Sequence, residues 1–311
     1  MEGKLLSVII PVYNEQEVLL SAYERFEAAL KSIGSPYELI FVDDGSTDET
    51  MPMLRTLAEK NSSIKVLSFS RNFGHQLAVT AGMDAAAGSA LIIIDVDLQD
   101  PPELIAEMVE LWEQGAKIVY GKRLKRKGET IFKRLTAFLY YRLLKSMSAY
   151  PIPLDSGDFR LLDREVADGF LEMREHNRFL RGMSAWMGYN AQPLEYVRAE
   201  RYAGQTKYTL KKMLKLAWDG ISGFSSRPLT LPGWLGLTLM LLSGLGFIAL
   251  IILSAAIGAA PWLWAVAGFA FLQGVTLAAL GLQGAYMSRM YDELKGRPLY
   301  IIKERIGQLP K

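Results

Sequence analysis

The 311-residue sequence contains no cysteine, which excludes disulfides, thiolate metal sites and a cysteine nucleophile. It contains only two histidines, His75 and His176, which are too few and too far apart in sequence to suggest a metal cluster. We expect each histidine to lie on a helix surface or in the core. The net charge of +2 gives no polycationic signal for nucleic acid. The N-terminal apolar run is too short to predict a signal peptide.

One long internal stretch lacks charge altogether, because no Asp, Glu, Lys or Arg occurs between Arg227 and Arg289. Gly258–Pro261 divides this stretch into halves of about 25 residues, each long enough to cross a hydrocarbon core of about 30 Å. We therefore predict a transmembrane hairpin within residues 228–288, with helices at about 231–256 and 262–287. The alternative is a buried hairpin in a soluble core, where two successive helices are seldom apolar on every face.

Basic residues flank both predicted spans, including Lys207 and Arg227 before the first and Arg289 and Lys295 after the second. The loop between the spans has no charge, so the positive-inside rule places both flanks in the cytoplasm. We expect a multi-pass protein of the plasma (inner) membrane with its N-terminal domain and both termini in the cytoplasm. Residues 289–311 would then be a cytoplasmic tail.

Residues 206–227 predict a juxtamembrane amphipathic helix. Apolar residues recur at helical spacing from Leu210 to Phe224, whereas Lys211, Lys212 and Lys215 lie largely off that face. Such a helix suits the headgroup layer, with its basic side toward anionic lipid. The alternative is a helix packed on the core of the N-terminal domain.

Residues 1–125 alternate short apolar runs with helical patterns, which predicts an α/β domain with a mostly parallel sheet. The predicted strands are Leu5–Ile10, Leu39–Val42, Lys65–Phe69, Leu91–Ile94 and Lys117–Tyr120. The predicted helices are Glu15–Ser32, Thr47–Lys60, Gly74–Ala87 and Pro101–Gln114. The mixed segment that follows, with a predicted helix Glu129–Ser148, would complete one domain over residues 1–205.

Ligands of such sheets bind beyond the carboxyl ends of the strands. This places four segments on one edge, which we call the rim: Pro11–Glu15, Asp43–Ser46, Asp95–Asp100 and Gly121–Arg126. The basic run Lys122–Lys127 is either a phosphate-binding loop or a solvated one.

Carboxylates follow two of the predicted strands at the rim. Asp95 and Asp97 are spaced to point to the same side of an extended chain, and Gln99 continues the series. Hard oxygen ligands suit Mg²⁺ or Mn²⁺, which can also bind a diphosphate. A solvated strand end is the alternative. Asp43 and Asp44 either form a turn and helix cap or present a carboxylate to a base or ribose, and both readings can hold together.

Five segments occur in order along the chain: Pro11–Glu15 (PVYNE), Asp43–Ser46 (DDGS), Ser70–Gly74 (SRNFG), Asp95–Glu103 (DVDLQDPPE) and Ser156–Arg160 (SGDFR). In these motifs the chain resembles glycosyltransferase family 2 with a GT-A fold. Within the family it is similar to the branch of dolichyl-phosphate mannose synthase and bactoprenol glucosyltransferase. The resemblance extends through Gly204–Lys207 to the paired apolar stretches, and so covers essentially the whole chain.

The resemblance implies roles for the residues at matching positions. The nucleotide-sugar would contact Pro11, Tyr13, Glu15, Asp43, Asp44 and Asp95. The metal would be held by Asp95, Asp97 and Gln99. Phosphate oxygens would meet Arg123, Lys133, Arg134, Arg201 and Lys207. Asp158 occupies the position of the proposed catalytic base, and turnover would also depend on Asp97.

The reaction that the resemblance implies is inverting transfer of a hexose from a nucleotide-sugar, UDP-glucose as the first guess, to a polyprenyl phosphate such as undecaprenyl phosphate. The expected partners are that donor, the lipid acceptor and the membrane, with a homo-oligomer left open. Because a phosphomonoester is largely dianionic at neutral pH, the acceptor needs little proton abstraction. Stabilising the departing diphosphate is the harder task, for which a divalent ion and basic side chains are suited.

Other functions fit the sequence less well. Processive polysaccharide synthases share the aspartate motifs but carry Q-x-x-R-W and more spans, whereas Asn177–Gly182 lacks both Gln and Trp. A non-catalytic, membrane-tethered nucleotide-sugar-binding protein would not need the intact aspartates. A dinucleotide dehydrogenase is disfavoured because Pro11–Glu15 has no glycine for a pyrophosphate.

Overall fold

The computed structural model describes residues 4–123, 156–197 and 261–308. The chain divides into two compact units. The first comprises Met1–Ser146, Tyr150–Ala217 and Pro298–Lys311, and the second comprises Met147–Ala149 and Trp218–Arg297.

The first unit is built on an eight-stranded mixed sheet in the order β7-β5-β6-β4-β1-β2-β3-β8. Its strands are β1 Leu6–Val12, β2 Tyr37–Asp43, β3 Ile64–Phe69, β4 Ala90–Ile93, β5 Ile118–Arg123, β6 Ser156–Asp163, β7 Ala191–Tyr196 and β8 Ile302–Ile306. Strand β1 pairs in parallel with both β2 and β4, β2 pairs in parallel with β3, and β5 pairs in parallel with β7. Strand β6 is antiparallel to β4 and β5, and β8 is antiparallel to β3.

Helices cover the sheet and connect its strands. They are α1 Leu19–Ile33, α2 Thr50–Lys60, α3 His75–Ala85, α4 Ile105–Glu113, α5 Arg164–Glu172 and α6 Leu180–Trp186, with a 3-10 turn at Pro102–Leu104 before α4. Every residue of β1 and β4 is buried, as expected for strands covered on both faces. The core therefore lies between the central strands and the helices, and it holds the carboxyl ends of those strands in fixed positions.

The predicted α/β alternation is confirmed, with element bounds that differ by a few residues. Helix α1 begins at Leu19 rather than at Glu15, because residues 13–18 form the rim loop and its turns. The third predicted helix shortens to His75–Ala85. The predicted helix Glu129–Ser148 lies outside the described residues.

The C-terminal segment differs from the prediction of a simple tail. Residues Ile302–Ile306 form the edge strand β8 of the eight-stranded sheet and pair with Val66 to Phe69 of β3. Before β8, Tyr300 stacks on Phe69 with ring centroids 5.1 Å apart and donates a hydrogen bond of 2.5 Å to Asp84. The strand was missed because it is short and carries charges, which are features typical of protected edge strands.

In its described part the second unit is one helix, α7, Pro261–Leu294. The predicted second span at about 262–287 falls within it, and the proline at its first position suits a helix start. Across residues 4–123, 156–197 and 261–308, none of the helices combines the length and apolar character that crossing a bilayer requires. The predicted first span at about 231–256 and the amphipathic helix at 206–227 lie outside the described residues.

Candidate active site

Loops from neighbouring strands meet at the predicted rim. After β1, the backbone N–H of Asn14 donates to Ser46 Oγ at 2.9 Å, and Asn14 Oδ1 accepts from the Thr47 N–H at 2.8 Å. The next N–H, of Glu15, donates to Thr50 Oγ1 at 2.9 Å. The loops that carry Tyr13 and Asp43 are therefore fixed to each other, while Tyr13 itself is 37% exposed. Pro11 lies buried within β1.

Asp43 and Asp44 both accept hydrogen bonds that fix the loops at the rim. Asp43 Oδ1 accepts from the Ser46 N–H at 3.0 Å, and its Oδ2 accepts from Ser68 Oγ at 2.8 Å. Asp44 is also buried and accepts from the backbone N–H groups of Phe73 and Gly74 at 2.6 and 2.9 Å. Desolvation raises the pKa of Asp44 although these two hydrogen bonds oppose the rise. Asp43 therefore supports its own turn, as the turn interpretation predicts, whereas Asp44 holds the loop at Phe73 and Gly74. Contact of either residue with a base stays a prediction.

The segment after β4 carries the aspartate motif with alternating burial. Asp95, Asp97 and Gln99 are partly exposed, whereas Val96, Leu98 and Asp100 are buried. Asp97 Oδ1 accepts from the Gln99 N–H at 3.1 Å. The backbone of Leu98 has φ +56°, a left-handed conformation that costs a non-glycine residue about 1–2 kcal/mol. Because residues 96–100 form turns and bends and not an extended chain, the predicted common side of the three polar residues stays a prediction. The strained residue at the centre of the segment is typical of a functional loop.

Asp158 lies near the start of β6, next to β4 in the sheet. Its Oδ1 accepts from Arg181 Nε at 3.0 Å and lies 4.0 Å from Arg160 Nη2. Burial alone would raise the pKa of Asp158, but Arg181, His75 and Arg160 outweigh this effect and hold the pKa well below its usual range. These neighbouring positive charges therefore favour the ionised carboxylate.

His75, the first residue of α3, reaches the aspartate motif. Its Nε2 lies 2.8 Å from Asp95 Oδ1, and 38% of its side chain is exposed. Desolvation would lower the pKa of His75, but the charge of Asp95 and the contact with it raise the pKa to about 9. His75 thus lies on a helix, as expected, but its contact with Asp95 was not predicted.

The donor set at the rim fits a metal that is bound together with a diphosphate. Among the side chains that the structure describes, no group of three or more His, Cys, Asp or Glu is arranged to hold an ion. Mg²⁺ is commonly bound through one or two carboxylates while substrate phosphates supply further ligands. Asp95 and Asp97, with the amide oxygen of Gln99, match that smaller set of hard oxygen donors.

Of the five predicted phosphate-binding residues, the structure describes Arg123. Arg123 is the last residue of β5, whose carboxyl end lies at the same edge as that of β4. Lys133, Arg134, Arg201 and Lys207 lie outside the described residues. Arg181 was not predicted to take part in the site, and the only signal for it was its place in the segment Asn177–Gly182, compared above with Q-x-x-R-W.

Comparison with known proteins shows what the chain is similar to. The profile of glycosyl transferase family 2 matches residues 7–170. An uncharacterized glycosyltransferase, YkcC, from Bacillus subtilis (strain 168) is 47% identical over 309 residues, which cover 97% of this chain and 94% of that protein. A bactoprenol glucosyl transferase from Shigella phage SfII is 39% identical over 303 residues, which cover 96% of this chain and 97% of that protein.

The chain is also similar in structure to glucosyl-3-phosphoglycerate synthase from Mycobacterium tuberculosis, which was solved in complex with Mn²⁺, UDP-glucose and phosphoglyceric acid. It is 21% identical, with a TM-score of 0.46, over 70% of this chain and 78% of that one.

Proposed function

The chain belongs to glycosyl transferase family 2 and is a glycosyltransferase, and we propose that it transfers glucose from UDP-glucose to a polyprenyl phosphate such as undecaprenyl phosphate. The product is a polyprenyl monophosphate sugar of inverted anomeric configuration. The observation that carries this proposal is the 39% identity to a bactoprenol glucosyl transferase over nearly the full length of both chains. That protein's name specifies both the sugar and the lipid.

The donor lies on the rim, with its base and ribose near Tyr13 and Glu15, on the loop that Ser46 and Thr50 fix in place. Pro11, Asp43 and Asp44 shape this part of the site. The diphosphate lies over Asp95, Asp97 and Gln99, which would hold Mg²⁺ or Mn²⁺. The ion, when bound, supplies positive charge that stabilises the leaving diphosphate.

In the reaction, an oxygen of the acceptor phosphate forms a bond to the anomeric carbon while the bond from that carbon to the diphosphate oxygen breaks. UDP leaves with the electron pair of the broken bond, and the attack from the opposite face inverts the anomeric centre. No proton needs to be removed, because the acceptor phosphate is already largely dianionic at neutral pH.

Asp158 is suited to electrostatic work in this scheme and poorly suited to act as a base. A general base works best when its pKa lies near the operating pH, whereas Arg181 and Arg160 hold the pKa of Asp158 far below that. Its fixed negative charge stabilises the positive character that develops at the anomeric carbon as the diphosphate departs. Arg123, Lys133, Arg134, Arg201 and Lys207 neutralise the phosphates of donor and acceptor.

The acceptor's phosphate lies at headgroup level while its tail stays in lipid, so the enzyme works at a membrane surface. The uncharged stretch at 228–288 would supply the anchor as a helical hairpin in the plasma (inner) membrane, with the catalytic unit and both termini in the cytoplasm. The basic helix at 206–227 would then lie on the anionic headgroups.

The test is transfer itself. Detergent-purified protein is incubated with undecaprenyl phosphate, Mg²⁺ or Mn²⁺, and a panel of labelled nucleotide-sugars, and label entering the organic phase is counted. We expect label from UDP-glucose and its loss in Asp97→Ala. In Asp158→Asn we expect slower transfer with unchanged donor affinity, because the variant loses a charge and no binding group.

Other outcomes separate the competing functions. Nucleotide binding without lipid label from any donor would support a non-catalytic tether. Label in a water-soluble or precipitable polymer would support a processive synthase. A wild-type rate in Asp97→Ala with metal present would overturn the metal assignment.

A further inference from the structure

Two carboxylates of the site lie at the ends of neighbouring strands. In the antiparallel pair β4–β6, Ile93 is the partner of Arg160. Toward the rim, Asp95 follows Ile93 by two residues and Asp158 precedes Arg160 by two residues. Their side chains are 33% and 17% exposed, so water shields them only in part. Like charges in such positions disfavour each other's ionisation unless cations offset them.

Each carboxylate has its own side-chain partner from a different helix. His75 Nε2 at the start of α3 lies 2.8 Å from Asp95 Oδ1, and Arg181 Nε in the first turn of α6 lies 3.0 Å from Asp158 Oδ1.

The side chain of Gln76 connects the two helix starts. Its Oε1 accepts from the Leu180 N–H at 3.0 Å, and its Nε2 lies 3.5 Å from His75 Nδ1. Gln76 directly follows His75, and Leu180 directly precedes Arg181. The side-chain amide of Gln76 therefore links the starts of the two helices that carry His75 and Arg181.

We propose that His75 and Arg181 are positioning residues of the transfer site, with His75 orienting Asp95 toward the metal-bound diphosphate, Arg181 orienting Asp158 toward the sugar, and Gln76 fixing their separation. The inference rests on the proposed function. The two residues have different expected effects, because His75 acts on donor binding, whereas Arg181 acts on the chemical step.

The test separates these effects with paired variants. For His75→Ala we expect metal-dependent UDP affinity and Mn²⁺ affinity to fall about 10- to 100-fold, the usual loss when a partner of a metal ligand is removed. His75→Gln keeps a side-chain N–H donor and should recover part of the affinity. For Arg181→Met we expect kcat to fall by a similar factor with UDP affinity within about twofold, and Arg181→Lys should recover part of kcat.

Coupling through Gln76 is tested by a double-mutant cycle. With Gln76 intact, the combined loss of kcat/KM in His75→Ala with Arg181→Met should be smaller than the product of the single losses, because each variant already disturbs the shared arrangement. In a Gln76→Leu background the losses should multiply. Multiplicative losses in both backgrounds would overturn the role given to Gln76.

The matched control is His176→Gln, which changes the same residue type outside the site and should leave both constants unchanged. Wild-type UDP affinity in His75→Ala together with wild-type kcat in Arg181→Met would overturn the proposal. So would parallel losses in kcat, UDP affinity and thermal stability, which indicate a structural role only. Mn²⁺ and UDP binding are measured without lipid, so failure to transfer glucose to undecaprenyl phosphate would refute the proposed function and leave the effect of His75 readable.

Discussion

A single methyl group added at Gly45 should disorder the rim. Gly45 has φ +74°, and a Cβ atom placed on it would lie 2.7 Å from the carbonyl carbon of Arg71 and 2.9 Å from the backbone nitrogen of Asn72. Both neighbours are backbone atoms of the loop that Asp44 holds through Phe73 and Gly74. The loop cannot retreat from the methyl group without losing those hydrogen bonds.

Gly34 provides a matched control because its φ is also +74° and no atom would lie within 4 Å of an added Cβ. Gly34→Ala should therefore cost only the left-handed strain of about 1–2 kcal/mol. Gly45→Ala should add an overpacking cost of about 1–3 kcal/mol, which gives a total of about 2–5 kcal/mol. For a domain of 150–250 residues each kcal/mol lowers Tm by about 2–4 °C.

The assay is thermal unfolding of both purified variants in detergent, together with titration of UDP in the presence of Mn²⁺. We expect a clearly larger loss of Tm in Gly45→Ala than in Gly34→Ala, and weakened UDP binding in Gly45→Ala alone. Equal losses of Tm in the two variants would refute the contact argument. An unchanged UDP affinity in Gly45→Ala would refute the link between this loop and the donor.

Three further outcomes follow. Desolvation opposes the shift, but Lys65 and neighbouring hydrogen bonds lower the pKa of Glu38 in the folded protein. The ionised Glu38 therefore stabilises the fold above its unfolded-state pKa of about 4.3, and this stabilisation is lost as pH falls toward the folded-state pKa. The difference in Tm between wild type and Glu38→Gln should be large at pH 7 and shrink below about pH 4. Tyr300→Phe should lose only the hydrogen bond to Asp84, about 1.5–3 kcal/mol, whereas Tyr300→Ala should lose more because the stacking on Phe69 also disappears, and thermal unfolding distinguishes the two. Chelation by EDTA should abolish transfer, and added Mg²⁺ or Mn²⁺ should restore it, while transfer that persists in EDTA would contradict the metal assignment.

Much of the fold could be predicted because the central strands are buried on both faces. Runs such as Leu91–Ile94 are apolar at consecutive positions, and their carboxyl ends are marked by Asp or by a turn. The position of the rim was predicted from that alternation alone, whereas the turns and bends at residues 96–100 were not. The bounds of helices were less predictable, because a rim loop such as residues 13–18 carries polar residues that also suit a first helical turn.

The partners within the site could not be predicted from local patterns. His75 and Arg181 become site residues only because α3 and α6 start beside the ends of β4 and β6, which are far apart in sequence. A lone histidine in a helix pattern gives no sign of a carboxylate twenty residues away. The one usable signal was its position directly after the motif Ser70–Gly74.

Strand β8 was not predicted from the sequence, and it adds residues Ile302–Ile306 to the edge of the catalytic sheet. Without β8, strand β3 would be the sheet's edge, with unpaired backbone groups beside the loop that Asp44 holds. The clamp of Tyr300 on Phe69 and Asp84 also fixes α3, whose other end carries His75. Donor-site geometry thus depends on residues that follow the uncharged stretch at 228–288.

A variant made by deleting everything after residue 227 should therefore bind UDP weakly, whereas one that joins residue 227 to Pro298–Lys311 through a flexible linker should retain the affinity for UDP. Equal UDP affinity in the two variants would show that β8 is dispensable for the site.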